Sequence, residues 1–241
     1  MIGLLRVVLV AVPATLWWGG LILWSALVRS RKLACRCDEF PRRWARLILK
    51  VAGTRVEVEN AERIDPDRPQ ILVANHASYF DVLALAGYVP GRYRFVAKKE
   101  LADIPIFGPA WRACGYISID RQNVDSAIRS LEMARSLLER DRPTVVMFPE
   151  GTRSPTGDLR PFKKGAFVLA IQTGVEVVPA ALLGTREIMR KGSWRVRTGR
   201  TVRVRFGEPL AVHGLTMEDR DALTRRARDA VAGLLGSPDR T

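Results

Sequence analysis

"PQILVANHASYFDVLALAGYV", residues 69–89, is the stretch that decides the fold of this chain. Its first part, through Asn75, is a short continuous apolar run, the pattern of a strand buried on both faces. Residues 81–89 read as a helix, with Ala77 or Ser78 free to start it. A buried strand passing through a short polar loop straight into a helix is the unit from which α/β domains are built. At the junction stand Asn75, His76 and, five positions after the histidine, Asp81.

The same alternation continues on either side. Residues 54–60, "TRVEVEN", alternate with period two and read as a strand. Further strands are expected at 92–98, 115–120, 143–148 and 175–183. In 201–206, Val202, Val204 and Phe206 are expected inward, with Arg203 and Arg205 outward. Helices are expected at about 124–140, at 163–173 before Gly174, and from Thr216 to about 235. The expectation is one α/β domain over 54–241, with a mostly parallel or mixed central sheet flanked by helices.

Residues 1–53 differ. From Val7 to Val28 no residue is charged, and 22 residues are enough for a helix to cross a hydrocarbon layer about 30 Å thick. Basic residues flank the stretch, and Trp17, Trp18 and Trp24 suit a membrane interface. Pro13 and the Gly19-Gly20 pair are expected to kink it. A second segment, 40–53, places Phe40, Trp44, Leu47, Ile48 and Val51 at helical spacing with Arg42, Arg43, Arg46 and Lys50 between them, as in a helix lying on anionic lipid. One spanning helix and two helices dipping into one leaflet explain the region equally well. Either way the bilayer is the expected partner. The net charge of +14 agrees, half of its excess falling in the first 50 residues.

Three cysteines, Cys35, Cys37 and Cys114, are too few for a disulfide framework and are expected as free thiols in a reducing compartment. The arginine-rich run 190–206 has too few aromatics for base stacking, so no nucleic acid is expected as partner.

Three segments carry chemistry. His76 and Asp81 cannot meet on one continuous helix, where five residues put side chains about 140° apart. They can pair if His76 sits on the loop and Asp81 in the first helical turn, the acid then orienting the imidazole. In "FPEGTRS", 148–154, another buried strand ends in a loop with Glu150, Gly151, Thr152 and Arg153; glycine allows close backbone approach and arginine offers a phosphate-shaped fork. Lys98 and Arg121 close two further strands, and the apolar "DIPIFGPAW" (103–111) between them suits a lipid-facing wall.

In this order the segments resemble the glycerolipid acyltransferase family, of the 1-acyl-sn-glycerol-3-phosphate acyltransferase type. Asn75, His76 and Asp81 match its N-H-x-x-x-x-D motif. Lys98, Glu100, Leu101, Pro105, Gly108 and Ile119-Asp120-Arg121 match the second. Phe148 to Ser154 match the third, and Val178-Pro179-Ala180 echo a fourth. The resemblance implies acyl transfer without cofactor or metal, from acyl-CoA or acyl-carrier protein to the sn-2 hydroxyl of lysophosphatidic acid, at the cytoplasmic face of a membrane. It casts His76 as general base and Asp81 as its orienting acid. Lys98, Arg153 and Arg121 would grip the phosphate, with Gly151 and Thr152 in the binding loop; Glu150 would hold that loop or a glycerol hydroxyl. No G-x-S-x-G and no histidine cluster competes with this reading. The alternatives are another acceptor (a different lysophospholipid, glycerol 3-phosphate or an amino-acid lipid) and a non-catalytic basic protein that binds membrane or nucleic acid.

Overall fold

The structure is a computed structural model describing residues 2–120 and 124–236. It opens with two helices, α1 (Ile2–Leu27) and α2 (Leu33–Val51). Strands β1 (Arg55–Glu59), β2 (Gln70–Ala74), β3 (Tyr93–Lys98), β4 (Ile117–Ile119), β5 (Thr144–Met147), β6 (Val177–Leu183) and β7 (Thr201–Phe206) follow. Between them run α3 (Tyr79–Tyr88), α4 (Phe107–Ala113), α5 (Val124–Arg140), α6 (Gly165–Thr173), the short α7 (Thr185–Ile188) and finally α8 (Arg220–Gly236). Among the described residues the strands form one sheet in the order β1-β7-β6-β2-β5-β3-β4. All pairings are parallel except β6 with β7. The sheet is therefore mixed, as its strands predicted.

Alternation along the central strands divides the interior. Leu72 and Ala74 face a core shared with α1 to α4, while Ile71 and Val73 face one shared with α5, α6 and α8. Because both faces are covered, β2 and β5 are buried at every position. Ser78 caps α3, its Oγ accepting from the Phe80 amide, with Asp81 completing a capping box.

Three expectations change. Arg205 does not point into solvent: its side chain is 2% exposed. Its face of β7 is covered by α8, where the guanidinium donates to the Leu234 carbonyl and pairs with Glu59 at 2.9 Å. Arg203, two residues earlier, stays a third exposed. Arg205→Met should therefore cost about 2 kcal/mol, a figure held down by the partial exposure of Glu59, whereas Arg203→Met should cost under about 0.5 kcal/mol. Chemical denaturation of the two variants checks the difference.

The second change concerns α2. Its Ala45, Ile48 and Leu49 lie inside the core and Phe40 and Trp44 are half-buried against it, so protein covers part of the face that was expected on lipid. Its arginines also have intramolecular work. Arg42 donates to the Val89 and Gly91 carbonyls and Arg46 to that of Gly87, all at the C-terminal end of α3. Cations there satisfy carbonyls that the helix leaves open.

Third, Cys37 and Cys114 are not free thiols: they form a disulfide joining the N-terminal half of α2 to the end of α4, across 77 positions of sequence. Cys35 remains free and exposed.

Helix α1 continues through Pro13 and Gly19-Gly20 without a break. At Gly19 the helix comes close to the chain before α4, where a Cβ would stand 2.8 Å from Ile106 Cγ2. Ile106 takes a left-handed φ of 65°, unusual for a β-branched residue, where the chain turns into α4 beneath α1. Within the expected lipid-facing wall, Ile104 and Pro105 are exposed, while Ile106 and Phe107 turn toward α1 and the interior.

Candidate active site

Strands β2 and β5 lie side by side in parallel, Val73 opposite Met147, so the loops leaving their C-terminal ends emerge together. This is where an open α/β sheet forms its ligand crevice. The loop after β2 carries His76 and the loop after β5 carries Glu150 to Ser154. They are tied twice: the His76 amide donates to Glu150 Oε1 at 2.7 Å, and the Ser154 amide donates to the His76 carbonyl at 2.6 Å.

His76 Nδ1 lies 2.8 Å from Asp81 Oδ2. The same oxygen accepts from the backbone amides of Ala77 and Ser78, both at 2.7 Å. Asp81 is fully buried and His76 13% exposed, so the carboxylate is fixed by the helix cap and can only present itself to the imidazole. The imidazole stacks on Phe148 at 4.1 Å. With Nδ1 engaged and one ring face covered, Nε2 is the nitrogen left for chemistry.

Asn75 does not face the site. It clamps the end of β6, donating to the Leu182 carbonyl and accepting from the Leu182 amide. Glu150 is likewise buried, its oxygens accepting from the amides of His76 and Arg160. Of its two expected uses this is the loop-holding one. Burial, aided by the nearby Asp81 charge, pushes its carboxyl up to about 7.

Gly151, at φ 74°, lets the loop turn tightly beside Lys163. The Arg153 guanidinium lies 3.7 Å over the ring of Tyr79, in the first turn of α3. Lys98 pairs with Glu100 at 2.7 Å and is more than half exposed. Gly151, Thr152, Arg153, Lys98 and His76 border one cavity, which Glu150 does not line. Arg121 lies outside the described residues.

That cavity, of about 900 Å³, was not legible in the motifs. It runs from His76 and Phe148 between Ala11, Trp18 and Ile22 of α1, Trp44 and Ile48 of α2, Leu83 and Ala86 of α3, and Phe107 and Trp111 of α4. Its volume falls among those of small-molecule sites, and its wall is overwhelmingly hydrocarbon and aromatic. Two further contributors were also missed. Tyr79, whose ring carries Arg153, sits at an unconstrained position inside the first motif. Lys191, reaching the Thr152 hydroxyl at 3.3 Å and the Arg153 carbonyl at 2.9 Å, comes from a loop with no motif.

A histidine–carboxylate pair at the head of a large apolar slot, with cations at its rim, is an arrangement suited to acyl transfer. The chain belongs to the acyltransferase family, whose model matches residues 55–183. It is 38% identical over 180 residues to human 1-acyl-sn-glycerol-3-phosphate acyltransferase alpha, covering 74% of this chain and 63% of that protein. With the chloroplastic LPAT1 enzyme of Arabidopsis thaliana it shares 34% identity over 203 residues, 81% of this chain and 55% of the relative. The chain thus spans somewhat under two thirds of the length of these relatives. Among solved structures it resembles the 1-acyl-sn-glycerophosphate (LPA) acyltransferase PlsC from Thermotoga maritima. The TM-score is 0.82 at 27% identity, over 99% of this chain and 97% of that one.

Proposed function

We propose that this chain transfers a fatty acyl group from an acyl thioester, acyl-CoA or acyl-carrier protein, to the sn-2 hydroxyl of lysophosphatidic acid, giving phosphatidic acid. The observation that carries the reading is the Asp81-held His76 at the mouth of the apolar cavity. The names of the relatives support the same reaction.

His76 Nε2 takes the hydroxyl proton as the acceptor oxygen attacks the thioester carbonyl, and Asp81 stabilises the imidazolium that forms. The tetrahedral intermediate then collapses, the carbon–sulfur bond breaks, and the imidazolium returns its proton to the leaving thiolate. The acyl chain occupies the cavity between α1, α2 and α4. Arg153 and Lys98, at the rim, bind the acceptor phosphate, with Arg121 assigned the same task by its motif; Gly151 and Thr152 supply the close approach. Glu150 positions His76 through its backbone amide.

Helix α1 is long and apolar enough to cross a membrane. It is packed on the domain along its length, from Gly3 against Val196, through Gly19 against Ile106, to Ser25 against Arg36. Its other face exposes Leu5, Leu9, Val12, Leu16, Trp17, Trp24 and Leu27. Such sidedness favours α1 lying within one leaflet, with residues 1–53 as the membrane-associated part and the α/β part at the cytoplasmic surface.

The test is transfer from one labelled thioester by purified protein in lipid, across acceptors that include lysophosphatidic acid, other lysophospholipids and glycerol 3-phosphate. The expected preference is lysophosphatidic acid; a strong preference for another acceptor replaces the reading. In the same assay Arg153→Ala should raise the acceptor KM roughly tenfold or more with a smaller change in kcat. An unchanged KM removes Arg153 from the phosphate site.

A further inference from the structure

We propose that the loop of residues 190–200 is a second membrane contact, docking on anionic phospholipid headgroups beside α1. The inference rests on the reading of α1 as a membrane-embedded helix and adds a separate element, from the other end of the chain, to that contact.

The loop holds Arg190, Lys191, Arg195, Arg197 and Arg200, and no acidic residue occurs from Ile188 to Gly207. At its centre Trp194 is 75% exposed, a large aromatic with no share in the core. A tryptophan set among arginines suits the boundary between headgroups and acyl chains, where the ring is partly dehydrated and the cations meet phosphate. The loop is well structured: the Arg197 amide donates to the Ile188 carbonyl at 2.9 Å, the Ser193 amide to that of Arg190 at 3.1 Å, and the Gly199 amide to that of Gly53 at 3.1 Å. Val196 points inward and is buried, which leaves its neighbours Arg195 and Trp194 outward.

Position distinguishes this patch from an ordinary solvated charge run. A Cβ on Gly3 would come within 2.5 Å of the Val196 carbonyl oxygen, so the loop abuts the first turn of α1. The exposed apolar stripe of α1 begins two residues later, at Leu5. The headgroup-seeking loop thus sits beside the N-terminal turn of α1, the helix whose opposite face carries the hydrocarbon-seeking stripe. Lys191, from the same loop, holds Thr152 and the Arg153 carbonyl, so a loop seated on headgroups keeps the cationic rim of the cavity at headgroup level.

The experiment is vesicle co-sedimentation of the full chain with phosphatidylcholine alone and with phosphatidylcholine plus phosphatidylglycerol. Wild type should bind both, the anionic vesicles more tightly and in a salt-sensitive way. Arg190→Gln and Arg195→Gln should each lower anionic affinity about fivefold and leave neutral binding unchanged. Trp194→Ser should weaken binding to both vesicles, with transfer to a detergent-dispersed acceptor preserved in every variant as the check on folding. Equal wild-type binding to the two vesicles overturns the proposal. So does full anionic preference in the arginine variants, or displacement of the protein from anionic vesicles by a DNA duplex. Failure of wild type on neutral vesicles counts instead against the embedding of α1, and the loop is then judged on the anionic arm alone.

Discussion

His76→Ala should reduce acyl transfer by about 10²–10⁴-fold, with membrane binding and the far-ultraviolet circular dichroism spectrum unchanged. The size follows from geometry. The imidazole Nδ1 is held at 2.8 Å by a carboxylate oxygen that two backbone amides already fix, so the base has its tautomer and orientation set before substrate arrives. Asp81→Asn keeps an acceptor for those amides but removes the charge that stabilises the imidazolium. It should lower kcat by a smaller factor and leave the acceptor KM in place. Retained transfer in His76→Ala, measured with the same labelled thioester, would sink the assigned mechanism.

Gly108→Ala should destabilise the fold by about 2–3 kcal/mol and depress transfer with every acceptor tested. Gly108 sits in the first turn of α4, directly against the 99–103 turn. A Cβ there would collide with the Ala102 backbone, standing 2.9 Å from its Cα and closer still to its carbonyl. The obstacle is main chain, which cannot swing aside as a side chain can, and its carbonyl is already tied to α4 by Arg112, which donates to it at 2.6 Å. Displacing α4 moves Phe107 and Trp111, which wall the cavity. Thermal unfolding with and without lipid, beside a full acceptor panel, separates this from an acceptor-specific defect; a variant with wild-type stability would show that α4 can slide without cost.

The βα units were legible because their signals are local. A buried strand such as Gln70–Ala74 announces itself by unbroken apolar residues, and Ser78 with Asp81 announces the helix that follows. The pairing of His76 with Asp81 is also local, five residues apart across one helix cap. What stayed hidden depends on contacts between distant segments. Arg205 alternates outward on β7, and only the arrival of α8 turns that face into an interior. Cys37 and Cys114 gain each other through the docking of α2 beside α4, which no cysteine count reveals. The amphipathic stripe of α2 was correctly periodic, yet periodicity does not say whether lipid or protein covers the apolar side. Lys191 and Tyr79 join the site through tertiary proximity alone.

One arrangement in the fold has a mechanical consequence. Asp81 lies in the first turn of α3, and the last carbonyls of α3 and of the residues just after it are gripped by Arg42 and Arg46 of α2. Ten residues make α3 a strut only about 15 Å long. At one end stands the acid that holds His76, and at the other α2, the helix packed against α1. A tilt of α2 cannot be absorbed by a slack connection, because the guanidinium forks hold the end of the strut at several oxygens. With α1 placed in a bilayer as proposed, lipid packing around it would act through α2 and α3 on the aim of His76.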